Sequence, residues 1–99
     1  EESMIRKYDN DDFSKLEGIY LVDFYADWCG PCKMLGQVLE GLNDVNIIKV
    51  NVDEEEELAR KYKVMSIPNM LIIKDGEIKK QLVGFRSLDD LKEELDSVK

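Results

Sequence analysis

The chain has two cysteines, and both fall in the pentapeptide Trp28-Cys29-Gly30-Pro31-Cys32. Upstream lies a nearly all-apolar run, Ile19 to Tyr25. Downstream, Met34, Leu35, Val38, Leu39 and Leu42 recur at helical spacing. The pair is therefore predicted at a strand-to-helix junction. A strand apolar along its whole length suits the centre of a parallel sheet covered on both faces. Gly36 and Gly41 weaken the following helix by up to about 1 kcal/mol each relative to Ala.

The remaining periodicities extend this frame. Met4 to Tyr8 reads as a short first strand. Asn10 or Asp11 can cap a short helix that turns Phe13 and Leu16 inward, with Gly18 suited to its end. Ile47 to Val52 is a second buried-type strand. Asp53 and Glu56 have the spacing of a capping box for a helix with Leu58, Ala59 and Tyr62 on its inner face. The acids Glu54 to Glu57 suit a helix N-terminus, and Arg60, Lys61 and Lys63 suit its last turn. Met70 to Ile73 and Ile78 to Val83 flank Asp75-Gly76, a hairpin signal. Ser87 caps a last helix with Leu88, Leu91, Leu95 and Val98 on one face. The predicted order is β-α-β-α-β-α-β-β-α. Helix-linked strands are most simply parallel and the hairpin pair must be antiparallel. The expected class is α/β: three layers, with a central mixed sheet flanked by four helices.

Bulk properties exclude several functions. The 99 residues are expected to form one domain, residues 1–99. A net charge of -8 argues against nucleic acid and anionic membrane surfaces as partners. No apolar run approaches the ~20 residues of a membrane span, and no signal peptide is recognisable. Glu1 to Ser3 read either as a remnant ahead of a native start at Met4 or as the beginning of a processed chain. The histidine count of 0 removes Ser-His-Asp and Cys-His nucleophile pairs and histidine metal ligands.

A thiolate, not a thiol, attacks a disulfide. Unpaired N–H groups and the dipole at a helix N-terminus stabilise such an anion. Cys29 is expected at or near the N-cap, with Pro31 in the first turn, where no intrahelical N–H is required. Cys32 then falls about one turn on, close enough to bridge. Gly30 lets a substrate backbone approach, and Trp28 can shield the sulfurs and offer an apolar surface. Cys29 is the expected attacking residue and Cys32 the resolving one. A structural zinc site normally needs four ligands, so two cysteines supply at most half of a shared site. A purely structural disulfide would close a tiny loop and stabilise little. No metal and no bound cofactor are expected, only a redox-active Cys29–Cys32 disulfide. Asp23, inside the apolar strand, is costly to bury without a partner, and desolvation should raise its pKa.

Nearly the whole chain resembles the thioredoxin family. The similarity rests on Val22-Asp23-Phe24-Tyr25-Ala26-Asp27 leading into Trp28-Cys29-Gly30-Pro31-Cys32-Lys33-Met34. It continues through Lys49-Val50-Asn51-Val52-Asp53, Ile67-Pro68 and Val83-Gly84. The resemblance implies the thioredoxin fold and a protein disulfide reductase recharged by a thioredoxin reductase. Its substrates would be disulfide-bearing proteins, and a cytoplasmic monomer is expected. The resemblance places Asp23 behind Cys32 as a proton carrier and Lys49 near Asp23. It makes the Ile67–Pro68 bond cis, and it assigns Ser66, Ile67, Val83, Gly84 and Phe85, with Trp28, to a substrate-docking surface. The rival from another class is a thioredoxin-fold binding module or subunit without redox turnover.

Four positions depart from the common pattern. Tyr25 stands where tryptophan is frequent. Gln37 replaces a helix-kinking proline, Asn69 replaces a threonine, and Phe85 is larger than the residue often found there. These bear on partner choice and on the shape of the active-site helix more than on reaction type.

Overall fold

The computed structural model describes residues 4–99. The alternatives for Glu1 to Ser3 lie outside the described residues. Five strands form one sheet: β1 (Ile5–Lys7), β2 (Ile19–Tyr25), β3 (Asn46–Asn51), β4 (Asn69–Lys74) and β5 (Glu77–Val83). Their spatial order is β1-β3-β2-β4-β5. β1 and β2 both pair parallel with β3, while β4 runs antiparallel to β2 and to β5. The apolar run Ile19–Tyr25 is thus the central strand, as its pattern requires. β5 closes one edge with a largely exposed strand carrying Lys79 and Lys80, which discourages pairing with another chain.

Three α-helices cover the sheet: α1 (Gly30–Leu39), α2 (Glu56–Lys61) and α3 (Leu88–Asp96). On one face, Leu35 and Leu39 of α1 and Leu91 and Leu95 of α3 pack with Leu21, Ile47, Met70 and Ile72. On the other, Val22, Phe24, Ile48, Val50, Leu71 and Ile73 pack with Phe13, and Leu58 and Tyr62 lie against them. The period-2 alternation of β2 and β3 deals their side chains to the two layers. The hairpin turns at Asp75 (φ 50°) and Gly76 (φ 82°), the left-handed pair that an Asp-Gly turn supplies. Ser87 Oγ accepts the Asp90 N–H at 3.1 Å and caps α3.

The fourth expected helix is absent among the described residues: Phe13–Lys15 form only a short 3-10 turn. Asp12 caps it, whereas Asp11 pairs with Arg6 at 2.7 Å and Asn10 adopts a left-handed φ of 57°. Leu16 is already extended. The segment is too short for the cost of helix nucleation to be recovered. The expected capping box is also absent. Glu55, not Asp53, occupies the N-cap of α2 and makes no side-chain cap. Asn51 folds the chain first, its Oδ1 accepting the Asp53 N–H at 2.9 Å and its carbonyl accepting from Glu54 and Glu55. That turn takes up Asp53, the residue that would have capped the box. In α1 the helix stops at Leu39, so Gly41 lies beyond it, and Met34 points outward.

Candidate active site

The dithiol sits where β2 ends and α1 begins. Cys29 is the N-cap of α1 in extended conformation, and its Sγ accepts the Cys32 N–H at 3.2 Å. Gly30 and Pro31 occupy the first turn, where proline costs no hydrogen bond. Cys29 and Cys32 form a disulfide across a Cα–Cα separation of 5.2 Å. Residue exposure is 5% for Cys29 and 2% for Cys32. Position at the helix end, more than exposure, therefore distinguishes the two sulfurs. A Cβ at Gly30 would meet nothing within 4 Å, so the approach over the helix end is open. Among the described residues no three His, Cys, Asp or Glu side chains are grouped to hold a metal ion. No helix among them is long and apolar enough to cross a membrane.

Beneath α1, Asp23 is wholly buried, and neither carboxylate oxygen has a hydrogen-bond partner. Residues 21, 23 and 25 of β2 face α1, as do 47, 49 and 51 of β3, because side chains alternate along a strand. Register sets Lys49 opposite Asp23. The Lys49 Nζ stands 3.6 Å from Asp23 Oδ2, an ion pair but too long for a hydrogen bond. Burial dominates, and the Asp23 carboxyl is pushed up to about 6 despite the opposing pull of Lys49. A cleft of about 360 Å³ opens behind the dithiol, lined by Tyr25, Cys32, Gly36, Gln37, Glu40 and Lys49 among others. The α1 helix runs through Gln37 without a break.

Opposite this, the loop before β4 carries a cis Ile67–Pro68 bond. Ile67 packs against the Cys29, Cys32 and Ala26 cluster. The described residues form no hydrogen bond to the Ile67 main chain. The Gly84 N–H donates to the Pro68 carbonyl at 2.8 Å, with Gly84 at φ 92°, and Val83 pairs with Asn69. Ile67 thus stands beside the dithiol; Ser66 precedes it in the chain, and Val83 and Gly84 pair with the segment that follows it. Phe85 is exposed beyond them, and no ring contact or hydrogen bond among the described residues ties it to the sulfurs. Asn69 is buried, its Nδ2 reaching the Ser66 carbonyl at 3.4 Å and its Oδ1 accepting from Gln81 at 3.1 Å.

Two residues escape the sequence reading. The Trp28 indole is 71% exposed, and its Nε1–H donates to Asp53 Oδ2 at 2.9 Å. Asp53 therefore fixes the one tryptophan beside the dithiol. No local sequence pattern signals this contact: it depends on the parallel pairing of Tyr25 with Asn51, which sends the two following loops out at the same end of the sheet. Met65, the chain neighbour of Ser66, is an apolar side chain left 93% exposed.

The family model described as Thioredoxin matches residues 5–97. A thioredoxin of Bacillus subtilis (strain 168) is 50% identical, covering 78% of this chain and 79% of that protein. A thioredoxin of Staphylococcus epidermidis is 46% identical over 95% of this chain and 96% of its own. Among solved structures, a point-mutant thioredoxin from Halobacterium salinarum NRC-1 superposes with a TM-score of 0.80 at 40% identity, covering 88% of this chain and 80% of that one. The chain belongs to the thioredoxin family, and its paired cysteines are those of a dithiol–disulfide oxidoreductase.

Proposed function

We propose that this chain reduces protein disulfides, with Cys29 as nucleophile, Cys32 as resolving thiol and Asp23 as proton carrier. The observation that carries this reading is the placement of Cys29 Sγ at the N-cap of α1, accepting the Cys32 N–H. In the reduced protein the same donor and helix end favour a Cys29 thiolate. That thiolate attacks one sulfur of a substrate disulfide. The Cys29–substrate bond forms, the substrate S–S bond breaks, and the departing substrate sulfur takes a proton. Cys32 then gives its proton to the Asp23 carboxylate and attacks Cys29 Sγ. The mixed disulfide breaks, the second substrate sulfur leaves as a thiolate that takes a proton from solvent, and Cys29–Cys32 is oxidised. Asp23 later returns its own proton to solvent. Two electrons have passed to the substrate.

Asp23 suits the transfer because its proton affinity lies near neutrality. The unpaired main chain of Ile67 is suited to hydrogen-bond an extended substrate segment. Trp28, Ser66, Val83, Gly84 and Phe85 would border that segment. A thioredoxin reductase would return the dithiol to its reduced form. The chain would work as a monomer in the cytoplasm, where a lone Cys-X-X-Cys suits catalysis better than a disulfide framework does. Reduction of a model protein disulfide by the reduced protein tests the reading. The Cys29→Ser variant should fall to the uncatalysed background. Equal activity of that variant would mean binding without redox turnover.

A further inference from the structure

The cleft behind the dithiol holds an arrangement that the exchange steps do not use. A lysine ammonium rides on a flexible stem, and Lys49 retains 27% side-chain exposure, so solvent competes for it. Its Nζ nevertheless lies 4.5 Å from the centroid of the Tyr25 ring, within cation–π range. Tyr25 is two residues beyond Asp23 on β2 and shares its face, and Lys49 is the register partner of Asp23. The ammonium is therefore held between a carboxylate and a ring face. The third wall is α1. A Cβ built on Gly36 would stand 3.5 Å from the Lys49 Nζ, at ordinary contact distance, so this turn of α1 lies directly against the ammonium.

We propose that Tyr25 is a positioning residue: its ring seats the Lys49 ammonium beside Asp23. This deepens the reading of Asp23 as proton carrier and rests on it. Without the seat the ammonium is free to turn to Glu40 or Asp27, which line the same cleft, or to water. The other charged or titratable groups facing this space are Cys32 and Lys33 of α1. Lys7 and Glu54 act on the Tyr25 phenol from beyond.

The test is the titration of the Asp23 carboxyl carbon by NMR in the oxidised protein, where the bonded cysteines do not titrate. Tyr25→Phe keeps the ring face and should leave the midpoint within about 0.2 unit of the parent. Tyr25→Leu should raise it by about 0.5 unit or more, since a seated cation is worth that order of energy. In a Lys49→Met background the same Tyr25→Leu change should add nothing. Should the leucine variant not fold, Tyr25→Met removes the ring while keeping side-chain length. An unchanged or lowered midpoint without the ring would overturn the proposal. So would a shift that persists without Lys49, or an equal shift in Tyr25→Phe. Resolution kinetics of Asp23→Asn test the proton-carrier reading separately. A wild-type rate there, with the coupling between Tyr25 and Lys49 intact, would remove that reading and leave the seat standing.

Discussion

Asp23 and Lys49 stand opposite each other in the parallel β2–β3 pair, 3.6 Å apart, yet the carboxylate has no hydrogen bond. The lysine attracts the charge without solvating it, so burial wins and the carboxyl is pushed up to about 6. The folded protein therefore binds a proton at Asp23 that the unfolded chain, titrating near ~3.9, releases. The favourable contribution is complete below about pH 4 and is lost as pH rises through about 6. Asp23→Asn removes the ionisable group and should stabilise the protein at pH 7.5 by about 2–3 kcal/mol. Urea unfolding of both proteins between pH 4 and 8 checks this: the gain should shrink steadily below pH 6 and be small at pH 4.

The same residue should reveal itself in kinetics. Asp23→Asn should leave formation of the mixed disulfide nearly unchanged and slow its resolution by about tenfold or more, the scale of a lost proton acceptor. In the parent protein the resolution rate should rise between pH 5 and 7 as the carboxyl ionises. Stopped-flow of single turnovers separates the two steps, and a resolution rate unaffected by the substitution would remove Asp23 from the mechanism.

Asp53 holds the Trp28 indole at 2.9 Å on an exposed surface. Asp53→Ala should cost roughly 0.5–1.5 kcal/mol or less of stability, since one solvent-accessible hydrogen bond is lost. Its larger effect should be a KM for protein disulfides raised about two- to fivefold with kcat retained, because the docking surface loosens while the sulfurs stay in place. Trp28 is the only tryptophan, so its emission reports the release directly.

Far from the dithiol, Gly76 should be intolerant of a side chain. Its φ is 82°, and a Cβ would fall 2.2 Å from the main-chain oxygen of Ser14. The left-handed conformation alone costs about 1–2 kcal/mol for a non-glycine residue, and backbone, not a movable side chain, blocks the space. Gly76→Ala should lower stability by at least about 2 kcal/mol. Thermal unfolding measures this, and activity per folded molecule should be unchanged.

Segments whose pattern matches a single period fold as that pattern predicts. Ile19–Tyr25, the Asp75-Gly76 turn and the Ser87-capped helix stand where alternation, turn chemistry and capping put them. The dithiol is legible because a cysteine pair with Gly-Pro between has few other uses. Failures come where two local options compete. Asp53 has the spacing of a cap, but Asn51 turns the chain first and leaves Asp53 to meet Trp28, a partner 25 residues away. The segment near Phe13 has cap and apolar residues enough for a helix, but too little length. Met34 fits the helical period of α1 while facing outward. The seat of Lys49 needs strand register, which no local pattern carries.

The most direct measurement is mass spectrometry of complexes trapped after a disulfide-bearing protein meets the reduced Cys29→Ser and Cys32→Ser variants. The Cys32→Ser protein should accumulate a stable mixed disulfide through Cys29, and the Cys29→Ser protein should accumulate none. The opposite pattern, or equal trapping by both variants, would contradict the assignment of Cys29 as the attacking sulfur at the start of α1.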